Sequence, residues 1–178
     1  PDEYHQGIET IMANHPECGG YFKFAIVRNP WARLLSLYND FTLHRVCQYS
    51  ALVKHDKPLF SEFANFEDFC LNVKNSPWWS NIFLRSQVNL LSINGKFEMS
   101  VVGRFEQLAD DYAAFCKHLK IENKPLRNEA GEVVPATLLK MNVGKYDNSK
   151  YREYYSDKSK MAVQELYADD VERFGYEF

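Results

Sequence analysis

The sequence predicts an α/β domain built on a parallel sheet, and three observations predict it. Phe22-Lys23-Phe24-Ala25-Ile26-Val27 is a short apolar run with β-branched and aromatic content, the pattern of a buried strand. After Arg28-Asn29-Pro30, the residues Trp31, Leu34, Leu35, Tyr38 and Phe41 recur at helical spacing. Farther on, an apolar run feeds Gly103-Arg104-Phe105-Glu106 and a second helical pattern at Phe105, Leu108, Tyr112, Phe115 and Leu119. Strands that alternate with helices bury a parallel sheet between helical layers.

The elements follow in order. Pro30 falls in the first turn of its helix, where a missing N–H costs nothing. Residues 44–60 are mixed, hold Pro58 and read as irregular, whereas Phe66, Phe69, Cys70 and Val73 mark a short helix over 65–73. Ser76-Pro77-Trp78-Trp79 is a break. The apolar runs 88–93 and 97–102 flank Asn94-Gly95, the strongest short-range hairpin signal. Residues 121–150 are polar, hold Pro125, Gly131, Pro135 and Gly144, and read as a long excursion. A final helix is expected over 157–174, with Ser156 as N-cap and Gly175 as its stop. Its acidic residues Glu165, Asp169, Asp170 and Glu172 read as the wet face.

A length of 178 residues with 46% hydrophobic and 25% charged residues suits a single globular domain, taken as residues 1–178. No window approaches the run of about 18 apolar residues that a membrane helix needs. A net charge of −3 carries no global signature of a nucleic-acid partner. Cys18, Cys47, Cys70 and Cys116 have neither zinc-knuckle nor redox spacing and read as small buried hydrophobes, which favours a reducing compartment. No His/Cys/Asp cluster suggests a metal. Pro1 is neither an initiator Met nor the start of a signal peptide, so the chain reads as beginning in mid-sequence.

The chemistry concentrates at the first strand-to-helix junction. A helix N-terminus offers unpaired N–H groups and a positive dipole end, and Arg28 adds a planar cation suited to phosphate. Ser36, two helical turns on, has a hydroxyl able to reach the same anion. The bland alternative makes Arg28 and Arg33 surface charges and Ser36 a filler between helix and sheet.

The pattern Arg28-x-Pro30-x-x-Arg33-x-x-Ser36-x-Tyr38 directly after an apolar strand resembles the 3′-phosphate-binding segment of sulfotransferases that use 3′-phosphoadenosine 5′-phosphosulfate (PAPS). The nearest resemblance is to the family of Golgi carbohydrate sulfotransferases and their bacterial relatives. Leu84-Arg85-Ser86-Gln87 is similar to its H-x-R-P-Q pattern, and Gly103-Arg104-Phe105-Glu106-Gln107-Leu108 to its G-R-F-E-x-L junction. Tyr151, Tyr154, Tyr155, Asp170 and Phe174-Gly175-Tyr176-Glu177-Phe178 resemble its Y-x-x-Y-Y, D and F-G-Y-x-F ending.

The resemblance implies a P-loop NTPase-like sheet flanked by helices and transfer of a sulfuryl group from PAPS, leaving PAP, to a hydroxyl or amine of a carbohydrate-type acceptor. Arg28 and Ser36 would hold the 3′-phosphate. Arg33 reads equally as structural, and Arg104 and Glu106 equally as an ion pair holding their turn. A base must take the acceptor's proton. His5, 23 residues before Arg28, lies where related uronyl-type sulfotransferases carry a functional histidine, although a frayed terminal histidine would look the same. His15, His44, His55 and His118 read as surface residues. Lys145 and Lys150, in a stretch with six basic and three acidic residues over 140–160, suggest a cationic flap or simply a solvated loop.

Three departures stand out. Phe83 replaces the pattern's His, and Ser86 its Pro. Nothing matches the family's opening strand, P-K-x-x-x-T/S loop and helix, so the first βα unit and the 5′-phosphosulfate loop are expected to be missing from this chain. The alternatives are a P-loop kinase or nucleotide-binding relative, and a degenerate module that binds PAP without chemistry. The resemblance allows a cytoplasmic setting for a bacterial member and the Golgi lumen for a eukaryotic one.

Overall fold

The computed structural model describes residues 5–44, 60–124 and 148–178. Cys47, His55, Lys145, and most of the stretches read as irregular over 44–60 and as an excursion over 121–150, lie outside the described residues.

The chain opens with α1 (Ile8–Asn14) and a short 3-10 turn, then enters β1 (Phe24–Val27). Helix α2 (Pro30–Asn39) starts after two intervening residues because Asn29 caps it, its side-chain oxygen accepting the amides of Trp31 and Ala32 at 3.1 and 3.2 Å. Proline in the first turn completes a start signal that runs against no backbone need. Trp31, Leu34 and Leu35 on its inner face are each 1% exposed, and burial of side chains this size contributes about 1.5–3 kcal/mol apiece. The helix continues into a π-helical turn (Asp40–His44). Helix α3 (Phe66–Asn72) packs beside α2, with Tyr38 meeting the rings of Phe66 and Phe69 at 5.2 and 5.1 Å.

The expected hairpin is much shorter than the apolar runs around it. Only β2 (Ser92–Ile93) and β3 (Lys96–Phe97) pair, antiparallel, about Asn94 and Gly95 with φ of 50° and 75°. The first run is instead helix α4 (Gln87–Leu90), capped by Ser86, whose hydroxyl accepts the Asn89 amide at 3.1 Å. The second run leaves the hairpin and becomes β4 (Val101–Arg104), which pairs in parallel with β1 from Phe24↔Val101 to Val27↔Arg104. Two apolar runs about an Asn-Gly turn predicted paired strands, but apolarity alone separates neither helix from strand nor one strand partner from another.

Helix α5 (Leu108–Leu119) follows β4 and covers it, with Phe115 buried and close against Gly103. The single closing helix read from the sequence is two: α6 (Asp157–Leu166) and α7 (Ala168–Phe174). Ser156 caps α6 in a reciprocal capping box with Ser159, and Gly175 ends α7 at φ 60°, both as expected. The break falls at Tyr167, whose buried hydroxyl donates to the Leu84 carbonyl at 3.0 Å. That anchor turns α7 so that Asp170 points inward. Asp170 is 0% exposed, which corrects its placement on the wet face; Glu165, Asp169 and Glu172 are exposed.

The core runs between these elements. Val27, Trp31, Leu34, Leu35, Phe60, Phe69, Val73, Leu84, Val163 and Tyr167 form one buried cluster. Among the described residues no helix is long and apolar enough to cross a membrane.

Candidate functional site

Arg28 stands at the C-terminal end of β1, where parallel strands of an open sheet present ligand sites. Its backbone is clamped. The Arg28 amide donates to Gln87 Oε1 at 2.8 Å, and Gln87 Nε2 returns a bond to the Arg28 carbonyl at 2.8 Å. Gln87 is itself held: its amide donates to Asp170 Oδ2 at 2.9 Å, and the Val88 amide to Asp170 Oδ1 at 2.8 Å. Asp170 thus fills the N-terminal end of α4, where an anion meets unpaired amides. Burial pushes its carboxyl above the ordinary aspartate range, opposed by the Val88 and Gln87 amides and by Arg33.

Asn29, the next residue, is fixed from two further directions. Its amide donates to Glu106 Oε1 at 2.8 Å and its side-chain nitrogen to the Glu177 carbonyl at 3.0 Å. Glu106 Oε2 accepts the Tyr176 hydroxyl at 3.0 Å, so the C-terminal segment is tied to the β1–α2 turn. Arg104 serves a different partner, the Phe174 carbonyl, and stacks over Tyr176 with 5.0 Å to the ring centroid. Each residue holds the chain's end through its own partner, where the sequence had left a mutual ion pair as one of two readings.

These bonds correct the reading of α2 as an amide-lined anion site. The Asn29 amide is taken by Glu106, Pro30 has none, and the Trp31 and Ala32 amides are taken by the Asn29 side chain. What remains for an anion is the Arg28 side chain. Its guanidinium lies over the Phe105 ring, 4.9 Å from the centroid, and is half-buried. Burial pulls its pKa below the ordinary arginine value, with Glu106 opposing and Arg33 adding to the pull. Arginine stays charged in proteins regardless, so the direction marks a cation short of solvation that gains from an anionic partner.

Ser36 is half-buried in α2. It follows Asn29 by two helical turns, roughly 10 Å along the axis on the same face. Arg33, one turn before it, is structural: its Nη2 donates to the Phe83 and Arg85 carbonyls, both at 2.9 Å. His5 packs edge-on against Phe83 with ring centroids 4.7 Å apart. The loop held by Arg33 therefore carries His5 beside it, at the position where the sequence departs from the family's histidine.

Other candidates fall elsewhere. His118 stacks on Phe22 at 5.2 Å, His15 bonds Glu17 at 3.2 Å, and Lys150 is exposed. Cys18, Cys70 and Cys116 are free, the last two buried, and burial pushes the Cys70 thiol far up. Among the described residues no group of three or more His, Cys, Asp or Glu is placed to hold a metal ion.

A profile of the sulfotransferase family matches residues 8–177. The chain belongs to the sulfotransferase family. Carbohydrate sulfotransferase 10 of Xenopus laevis is 26% identical over 187 aligned residues, which cover 91% of this chain and 49% of that protein. The proteins of the same name from Gallus gallus and Pongo abelii are 27% and 26% identical, covering 88% of this chain and 47% of theirs. The chain spans about half the length of the curated relatives it matches. No solved structure matches it at comparable significance.

For this sulfotransferase-family chain, Gln87 and Asp170 are the residues whose role sequence reasoning missed. Both stood in stretches resembling family patterns, but nothing local shows that residues 83 apart share a hydrogen bond. Only the run of buried partners reveals them as the mount for Arg28.

Proposed function

We propose that this domain, residues 1–178, serves the transfer of a sulfuryl group from PAPS to a hydroxyl or amine of a carbohydrate-type acceptor and supplies the 3′-phosphate end of the donor site. The observation that carries the reading is the seat of Arg28: a half-buried, clamped arginine at the end of a parallel strand in a sulfotransferase-family chain. The residues fit the donor's 3′-phosphate. A planar guanidinium matches a phosphate bidentately, and Arg28 is desolvated enough to favour such a partner. Arg28 and Ser36 hold the 3′-phosphate, and β1 and β4 belong to a P-loop-like sheet.

PAPS brings an activated sulfuryl group bound to a phosphate leaving group. The chain's own work is binding, orientation and proton transfer. Arg28, with its backbone fixed by Gln87, sets the nucleotide's position without reorganising, which is how positioning lowers a barrier. A ring nitrogen of His5 would take the proton from the acceptor hydroxyl as its oxygen bonds to sulfur and the bond from sulfur to the 5′-phosphate oxygen breaks, PAP leaving with the electron pair. The packing of His5 on Phe83 supports this role, since it puts an imidazole at the loop that lacks the family's histidine. The carbohydrate acceptor follows from the names of the relatives.

Release of PAP from PAPS, followed with the full-length protein across neutral, amino and acidic glycosides, tests the reading. Acceptor-dependent PAP release is expected. PAP binding with no transfer to any acceptor would instead support a degenerate binding module, and absence of PAP binding would reject both.

A further inference from the structure

A cleft of about 190 Å³ opens where residues 79–89 meet the break between α6 and α7, walled chiefly by Trp79, Arg85, Ser86, Asn89, Glu165 and Asp169. It neighbours the Arg28 mount without sharing its groups. The Arg85 carbonyl and the Gln87 side chain are bound to Arg33 and Arg28, whereas the cleft takes Arg85, Ser86 and Asn89.

The chemistry of the wall is specific. Trp79 is half-buried and braced by Tyr167, ring centroids 6.3 Å apart, so its indole is a fixed apolar wall. Glu165 and Asp169 are exposed carboxylates that only accept hydrogen bonds; Arg85 only donates, and Asn89 does both. An aromatic side chain with donors and acceptors around it suits a ring that is apolar on its faces and hydroxylated at its edge. The volume is enough for one such ring. Two carboxylates against one guanidinium leave the cleft net negative, which repels an anionic ring.

We propose that this cleft is a subsite for one pyranose ring of the acceptor that carries neither carboxylate nor sulfate. The assignment rests on the sulfotransferase reading above and adds the acceptor's charge class and the side chains that select it.

Saturation-transfer NMR titrations of the full-length protein with a methyl hexoside, a methyl hexosaminide, a methyl hexuronide and propylammonium chloride test it, alongside a calorimetric PAP titration. The hexoside or hexosaminide should bind saturably, and the hexuronide about tenfold more weakly. Combining Glu165→Gln with Asp169→Asn should weaken the favoured glycoside about tenfold or more, the value of a lost hydrogen bond to a charged group, and narrow the gap to the hexuronide. Trp79→Phe should retain part of the binding. The proposal is overturned by no glycoside binding, by a hexuronide that binds as tightly as the hexoside, by propylammonium binding more tightly than either sugar, or by unchanged affinity in the double variant. The PAP titration separates the two claims: glycoside binding without PAP binding defeats the sulfotransferase reading and leaves a sugar site, whereas PAP binding without glycoside binding defeats the subsite alone.

Discussion

The buried carboxylate of Asp170 accepts the backbone amide of Gln87 at 2.9 Å across 83 residues of chain. Gln87 in turn exchanges two 2.8 Å bonds with the backbone of Arg28. The last helix of the chain thereby sets the end of its first strand, and with it the cation proposed to hold phosphate. Such a mount lets a residue with no ligand contact govern affinity.

Gln87→Ala therefore weakens PAP binding. Loss of both bonds leaves the Arg28 amide and carbonyl unpaired, each worth about 1–3 kcal/mol in a buried setting, and frees the strand end to wander. About a tenfold or greater rise in the calorimetric Kd for PAP is expected, in a protein whose circular dichroism is still folded. Unaltered affinity would show that the clamp is only structural.

Asp170 predicts a pH dependence of stability. Its folded pKa is raised, chiefly by burial, above an unfolded value of about 3.9. Between the two values the native state binds more protons than the unfolded one, so stability falls as pH rises through that window and is flat above it. Asp170→Asn lacks the titration. Urea unfolding from pH 4 to 8 should show the wild-type stability, measured relative to Asp170→Asn, declining from the acid end. A relative stability that climbs over the same interval contradicts this.

Gly103 lies in β4 where a larger residue would force its neighbours to shift. A Cβ there would sit 2.8 Å from both Ile26 Cδ1 and Phe115 Cζ and 3.0 Å from Asp111 Cβ. Overpacking of this kind costs about 1–3 kcal/mol. Gly103→Ala should lower the urea midpoint accordingly, and an unshifted midpoint would mean that α5 packs less tightly on β4 than described.

His5→Ala should separate chemistry from binding. Removing a general base lowers turnover by about 10²–10⁴-fold, while the Kd for PAP stays at the wild-type value. Turnover at the wild-type rate would remove His5 from the mechanism.

Much of this was legible in sequence, and for local reasons. The run 22–27, Pro30 and the helical spacing after it mark β1 and α2 because proline and apolar period both act within a few residues; the Asn29 cap was not read. Asn94-Gly95 marked a turn by the same token, but strand partners are chosen by packing, so Val101–Arg104 joined β1 instead of the hairpin. Asp170 looked like one acid among four because its inward turn depends on Tyr167 reaching Leu84 across the fold. The α2 amides looked available because the side chains that take them include Glu106, 77 residues away. Arg33 could not be told from a ligand-binding arginine until its two carbonyl partners were visible.

The central claim is that Arg28 holds the 3′-phosphate, and calorimetric titration of PAP and of adenosine 5′-monophosphate against wild type and Arg28→Ala tests it most directly. Arg28→Ala should cost PAP about 1.5–3 kcal/mol, the range for hydrogen bonds to charged groups, and should leave the monophosphate, which lacks the 3′-group, unaffected. PAP affinity that does not change, or equal losses for both nucleotides, would contradict it.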